Sequence, residues 1–202
     1  MSDPPEVQIR LMCDARDYER AATHALEAYG REIERFLRGR LRNPADAKDA
    51  YGMFCEDLWS GLPQFGWRCT LRGWAYTLAR HAELRLAASP ARRAGRAVAP
   101  SDVDIAAQTR TSTAPYVRTD VKDRFRSLRS RLNAEDQLIL ILRVDRELEW
   151  RDIAHVLASG VEAAEPEVDR VAARVRKRFQ IIKERLRRWA IEEGLLPASR
   201  AA

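Results

Sequence analysis

The chain has 202 residues, 46% of them hydrophobic and 33% charged, with 36 lysines and arginines against 30 acids and a formal net charge of +6. This length and apolar content allow one large packed domain or two small ones and exclude a disordered or fibrous class, and the cationic excess favours a polyanionic partner. Cys13, Cys55 and Cys69 form no CxxC pair, and His24, His81 and His155 lie near none of them at ligand spacing, so neither a disulfide framework nor a metal site is expected.

The N-terminus, MSDPPEVQIRL, lacks the basic start and apolar run of a signal peptide, and no apolar stretch is long enough to span a bilayer. A cytoplasmic protein without membrane insertion is expected. From Asp17 to Leu41 the apolar positions Ala22, Leu26, Tyr29, Ile33, Phe36 and Leu37 recur three or four apart, which predicts an amphipathic helix ended by Asn43-Pro44. A second helix opens at Pro44, with Asp46 and Asp49 near its positive end, and continues through Phe54, Leu58 and Trp59 to a break at Gly61-Leu62-Pro63. Residues Gln64 to Thr70 mix glycine, polar and aromatic side chains without period and read as an exposed loop. A third helix is expected from Leu71 to Ala88, with Trp74 on its apolar stripe and therefore in the core.

Between Ala88 and Thr119 the stretches SPARRAGR, VAPSDVD and TRTSTAPY carry few large hydrophobes and have linker composition. Helical pattern resumes over Val121–Leu132. Asn133 is a good N-cap with Asp136 three residues on, leading into the strongly apolar run Gln137–Arg143. A short helix over Trp150–Leu157 should stop at Ser159-Gly160, and a final helix should run from about Glu167 to Glu193. Nothing alternates at the strand period. The expectation is an all-α fold of two small helical domains, 1–87 and 120–196, joined by a flexible linker at 88–119.

The final helix carries the strongest local signal. Between Arg170 and Arg188 it holds nine basic residues against the single acid Glu184, while Val171, Val175, Phe179, Ile182 and Leu186 repeat at helical spacing on another face. Such a helix can pack inward and present charge to nucleic-acid phosphate, although a merely solvated basic face has the same pattern. A short helix, a glycine-containing break and a basic amphipathic helix follow the order of a helix-turn-helix, whose second helix enters the major groove. Arg170, Ala173, Arg174 and Lys177 are the candidates for base edges, and Arg176 and Arg178 for phosphates. The break, Ser159 to about Pro166, is longer than the usual turn, so the start of the second helix is open. No serine–histidine–aspartate order, paired-carboxylate signature or glycine-rich phosphate loop is present, so no catalytic residue and no cofactor is expected.

Two further segments extend this pattern. Asp46-Ala-Lys-Asp-Ala-Tyr-Gly-Met-Phe-Cys-Glu-Asp-Leu-Trp59 is similar to the D-A-E-D-L-x-Q-E-x-F-x-x-L-W helix of bacterial RNA polymerase sigma factors, with Gly52 and Met53 where Gln-Glu is usual. Gly73-Trp-Ala-Tyr-Thr-Leu-Ala-Arg-His81 resembles the W-L-Y-x-I-A-R-N start of that family's promoter-melting helix, with His81 in place of the asparagine. Leu148–Leu157 resembles L-S-x-x-E-I-A-x-x-L, and Val171-Ala-Ala-Arg-Val-Arg-Lys177 resembles V-K-S-R-L-x-R. In this order and spacing the segments resemble the extracytoplasmic-function branch of the sigma-70 family, over about Ala21–Leu86 and Asp120–Arg188.

The resemblance implies a transcription initiation factor that binds core RNA polymerase, through the β′ clamp and the β flap, and directs promoter recognition and melting. It implies polymerase contacts at Asp46, Asp49, Glu56 and Asp57, of which the first two also read as ordinary helix-start acids. It places the loop Phe65–Arg72 on the non-template strand of the promoter-proximal element, with Trp67, Arg68 and Arg72 as the chosen residues, and Arg80 and Arg85 on the DNA backbone. Extruded bases stacking on aromatic faces make physical sense there. An anti-sigma factor is a further partner the resemblance admits. Two other readings stay open: a free-standing helix-turn-helix regulator with a dimerising N-terminal bundle, and a helical adaptor whose basic helix is only solvated.

Overall fold

The structure is a computed structural model that describes residues 5–41, 43–89, 115–158 and 165–197. Among them are helices α1 (Pro5–Asp14), α2 (Tyr18–Arg40), α3 (Pro44–Gly61), α4 (Leu71–Ala88), α5 (Pro115–Ser130), α6 (Ala134–Leu140), α7 (Trp150–Leu157) and α8 (Glu165–Glu192), and no strand. A 3-10 turn, Leu62–Gln64, follows α3, and a π turn, Ile141–Asp145, follows α6. The all-α expectation holds. The described helices fall into two compact units, α1–α4 in the first and α5, α6 and α8 in the second, with the division falling inside α7 after Ala154.

Local chemistry fixes the helix starts of the first unit. Asp17 accepts from the Arg20 N–H at the head of α2, Asn43 accepts from the Ala45 N–H beside Pro44 in α3, and Thr70 accepts from the Gly73 N–H in α4. The four helices meet through small and apolar side chains: α2 lies against α1, α3 and α4, and α3 against α4. Ala21, Ala25, Ile33, Phe36 and Leu37 of α2 are buried with Phe54 and Leu58 of α3 and with Leu71, Ala75 and Tyr76 of α4. The Phe36 and Tyr76 rings meet edge to face at 5.0 Å. Ion pairs join the same helices at depth: Glu83 of α4 takes Arg40 of α2 in a two-pronged contact (2.8 and 3.4 Å) and also holds Arg80 at 2.8 Å.

Helix α1 has no counterpart in the periodicity reading. It buries only Ile9 and Cys13, so its own apolar stripe is narrow, and its place depends on what Glu6 and Arg10 reach in the rest of the unit.

In the second unit the run Leu138–Leu142 is buried throughout, together with Leu128, Val168, Val171, Val175, Phe179 and Ile182, and α8 packs on both α5 and α6. Three boundaries differ from expectation. Helix α5 begins at Pro115, ahead of Val121 and inside the segment read as linker, because proline suits a helix's first position. The apolar run does not continue as α-helix to Arg143: it widens into the π turn, in which the Arg146 N–H donates to the Ile141 carbonyl at 2.9 Å. Helix α8 opens at Glu165 and ends at Glu192, after which Gly194 (φ 70) takes the left-handed position that lets the Leu195 N–H close on the Ala190 carbonyl at 2.7 Å. Most of the expected linker, and the helix break at Ser159-Gly160, lie outside the described residues.

Candidate nucleic-acid interface

Helix α3 divides its side chains cleanly. Ala47, Ala50, Phe54 and Leu58 face the core. Asp46, Asp49 and Glu56 recur on another side at spacings that place them in one strip, with Asp49 and Glu56 exposed and Asp46 half-buried. Trp59, one turn beyond Glu56, is 52% exposed and extends the strip with an aromatic face. Asp57 is set apart from these acids, because its carboxylate is bound by the guanidinium of Arg85 on α4.

The loop after α3 is less open than its composition suggested. Phe65 stacks on Trp74 with centroids 4.6 Å apart and planes inclined by 22°, and Trp67 lies 4.8 Å from Phe65, so the loop aromatics form a continuous cluster seated on α4. Trp74 is 4% exposed and belongs to the core, as expected. Trp67 and Phe65 are half-buried rather than displayed, while Arg68 projects into solvent with no carboxylate partner among the described residues.

The α4 arginines are engaged within the protein. Arg72 donates to both oxygens of Glu32 on α2, at 2.5 and 3.2 Å, and Tyr76 donates to the same carboxylate at 2.8 Å. These hydrogen bonds raise the Arg72 pKa above its ordinary value against the opposing effect of burial. Arg80 is held by Glu83, and Arg85 by Asp57. Of the five DNA-facing residues expected in this unit, three therefore brace helices in the free protein. Their partners Glu32, Glu83 and Asp57 are distant in sequence and no local pattern announces them.

His81 stands half-buried among Arg80, Arg85 and Asp57. Burial lowers its pKa, and Arg85 and Arg80 add to that, with Asp57 opposing. A histidine whose folded pKa lies below its unfolded one binds protons more readily when unfolded, so stability is complete above about pH 6.5 and declines as pH falls below it. Thermal melting between pH 7.5 and 5 should thus fall more steeply for the wild type than for His81→Gln; parallel curves would refute the assignment.

Helix α8 turns Val168, Val171, Ala172, Val175, Phe179 and Ile182 inward. Arg170, Ala173 and Lys177 form the outward stripe, flanked by Arg174 and Arg176, and all five are exposed. Arg178 lies towards the buried side. Its Nε donates to Asp136 at 2.6 Å and its Nη1 to Glu135 at 2.8 Å, which makes it a strut between α8 and the start of α6. Trp150 of α7 meets Phe179 of α8 edge to face at 5.3 Å, and Arg143 lies over the Trp150 ring at 4.7 Å.

The helices and loop that carry the acidic strip and the aromatic cluster coincide with a known family. Residues 25–93 match the family model for Sigma-70 region 2. The sigma-70 region 2 match runs from within α2 to beyond α4 and includes Asp46, Asp49, Glu56, Asp57, Trp67, Arg68, Arg72, Arg80 and Arg85. It supports a sigma-70 family factor, a non-enzymatic class, with a role in promoter recognition and RNA polymerase binding. Helix α1 and the second unit lie outside the matched stretch. No curated protein matches the chain. Among the described residues no helix is long and apolar enough to cross a membrane, and no cluster of histidine, cysteine and acidic side chains is arranged to hold a metal ion.

Proposed function

We propose that the protein is a cytoplasmic sigma factor of the extracytoplasmic-function type, which docks on core RNA polymerase, opens a promoter with its first unit and reads the upstream promoter element with its second. The observation that carries this reading is the coexistence, in a stretch matching sigma-70 region 2, of an exposed acidic strip and an arginine-flanked aromatic loop. Asp46, Asp49 and Glu56 dock on the β′ clamp, with Trp59 giving apolar contact beside them. Trp67 and Arg68 hold the non-template strand, whose extruded bases gain about 1–3 kcal/mol each from stacking on aromatic side chains. Asp57 acts through Arg85, and Arg72 and Arg80 support the site by fixing α4. They reach DNA only where a phosphate displaces their carboxylates.

In the second unit α7 and α8 serve as the helix-turn-helix. Arg170, Ala173, Arg174 and Lys177 face base edges and Arg176 a phosphate, while Arg178 orients the helix. The same unit would meet the β flap, and an anti-sigma factor would act by covering either surface. The protein supplies binding energy and leaves the chemistry to polymerase.

The test is capture of core RNA polymerase by the wild type and by an Asp46→Ala/Asp49→Ala double variant, with transcription from a genomic promoter library. The variant is expected to bind core at least about tenfold more weakly, the order of effect for charges at a docking surface. Absence of core binding by the wild type, with duplex DNA still bound, would replace this reading with a free-standing helix-turn-helix regulator.

A further inference from the structure

Helix α1 lies outside the sigma-70 region 2 match, yet two of its side chains close on the loop and helix that the proposed function assigns to single-stranded DNA. Glu6 accepts from the backbone N–H of Arg72 at 3.0 Å and from the Tyr29 hydroxyl at 3.3 Å. The Arg72 N–H is one of the donors that the first turn of α4 cannot satisfy internally, so a carboxylate there completes the helix start. One turn further along α1, the Arg10 guanidinium lies over the Trp67 ring, 5.3 Å from its centroid. Trp67 has φ 54, a left-handed backbone that costs a bulky L-residue about 1–2 kcal/mol, so its ring is held in place by what surrounds it.

The charge state of Arg10 distinguishes it from the α4 arginines. It is exposed and has no carboxylate partner among the described residues, whereas Arg72, Arg80 and Arg85 are each paired. An unneutralised guanidinium on an aromatic face, with the exposed Arg68 next in sequence to that aromatic, is the combination by which single strands are held: a cation for the phosphate beside a π surface for the base.

We propose that α1 is part of the nucleic-acid surface, with Arg10 contacting a phosphate of single-stranded DNA while its guanidinium fixes the Trp67 ring, and Glu6 anchoring α1 to the start of α4. This rests on the reading of loop 65–72 as a single-strand site. The face of Trp67 under Arg10 is not the surface for a base; the base stacks elsewhere on the Phe65–Trp67–Trp74 cluster.

The test uses the full chain and a fluorescein-labelled single-stranded DNA of random sequence, titrated by anisotropy across a series of salt concentrations. Arg10→Ala is expected to bind about five- to tenfold more weakly, and the slope of log K against log salt should fall by about 0.7, the value for one lost phosphate contact on a single strand. Arg10→Lys should keep the slope and recover only part of the affinity, because it retains the charge and loses the planar stack. A folding control is the thermal melt, which a change at this exposed side chain should leave in place. Wild-type binding with an unchanged slope in Arg10→Ala overturns the assignment of Arg10. A gain in affinity in that variant also overturns it, by showing that Arg10 competes with DNA for Trp67. Failure of the wild type to bind the single strand overturns instead the reading of the loop on which the proposal rests.

Discussion

Glu83→Ala is expected to cost the first unit about 3–5 kcal/mol, the range for breaking a buried ion pair from one side. Glu83 is 8% exposed, and its main partner, the Arg40 side chain, is 7% exposed. Removing the carboxylate leaves a guanidinium charge where water cannot solvate it. Against a typical domain stability of about 5–15 kcal/mol that loss is large. Because the two units can unfold separately, the measurement should be resolved along the chain: amide hydrogen exchange should show protection lost across α2 and α4 with α8 unaffected. Glu83→Gln keeps the shape and hydrogen-bonding oxygen and should cost clearly less. A loss below about 1 kcal/mol for the alanine variant, the level of a solvent-exposed pair, would show that apolar contacts such as Phe36 on Tyr76 hold these helices unaided.

The second large effect is expected at Asp136, which is 4% exposed. Its carboxylate receives the Asn133 amide at 3.0 Å and the Arg178 guanidinium at 2.6 Å, with Arg185 at 3.6 Å, while its own N–H donates to the Asn133 side chain at 2.8 Å. The group is at once the third helical residue of a reciprocal cap and the anchor of α8 on α6. Asp136→Ala should destabilise the second unit by about 3 kcal/mol, read as lost protection in α6 and α8. A companion pair separates strut from contact. Arg178→Ala should lower stability and leave the salt dependence of duplex-DNA binding almost unchanged, whereas Arg174→Ala should leave stability unchanged and reduce the salt slope by about 0.9. The reverse pattern would return Arg178 to the phosphate-binding set.

How far these features could be read from the sequence depends on whether their cause is local. The Asn133–Asp136 cap and the helix start at Asn43-Pro44 use partners within three residues, and both were readable. The inward stripes of α2 and α8 follow from spacing alone, which is why Trp74 and Phe179 could be assigned to the core. Arg72, by contrast, reads as an available cation until Glu32, forty positions earlier, is found to hold it. Trp67 and Arg178 were misjudged in the same way, since Arg10 and Asp136 reach them only through the fold. Helix α1 gives the clearest case: with just Ile9 and Cys13 buried, its stripe is too narrow to register as a period, and Glu6 ties it down against the start of α4.

The π turn at Ile141–Asp145 makes the length of the chain at that point a structural parameter. A π turn holds one residue more than the α-helix it interrupts. Deleting any one residue there would let α6 run on as regular helix and swing everything after it by about 100°, the rotation carried by one helical residue. The swing would part Trp150 from Phe179 and shift the Leu148 carbonyl away from Arg143, which now donates to it at 2.7 Å. Substitutions in this segment alter one contact at a time, but a one-residue deletion would re-aim α7 as a whole.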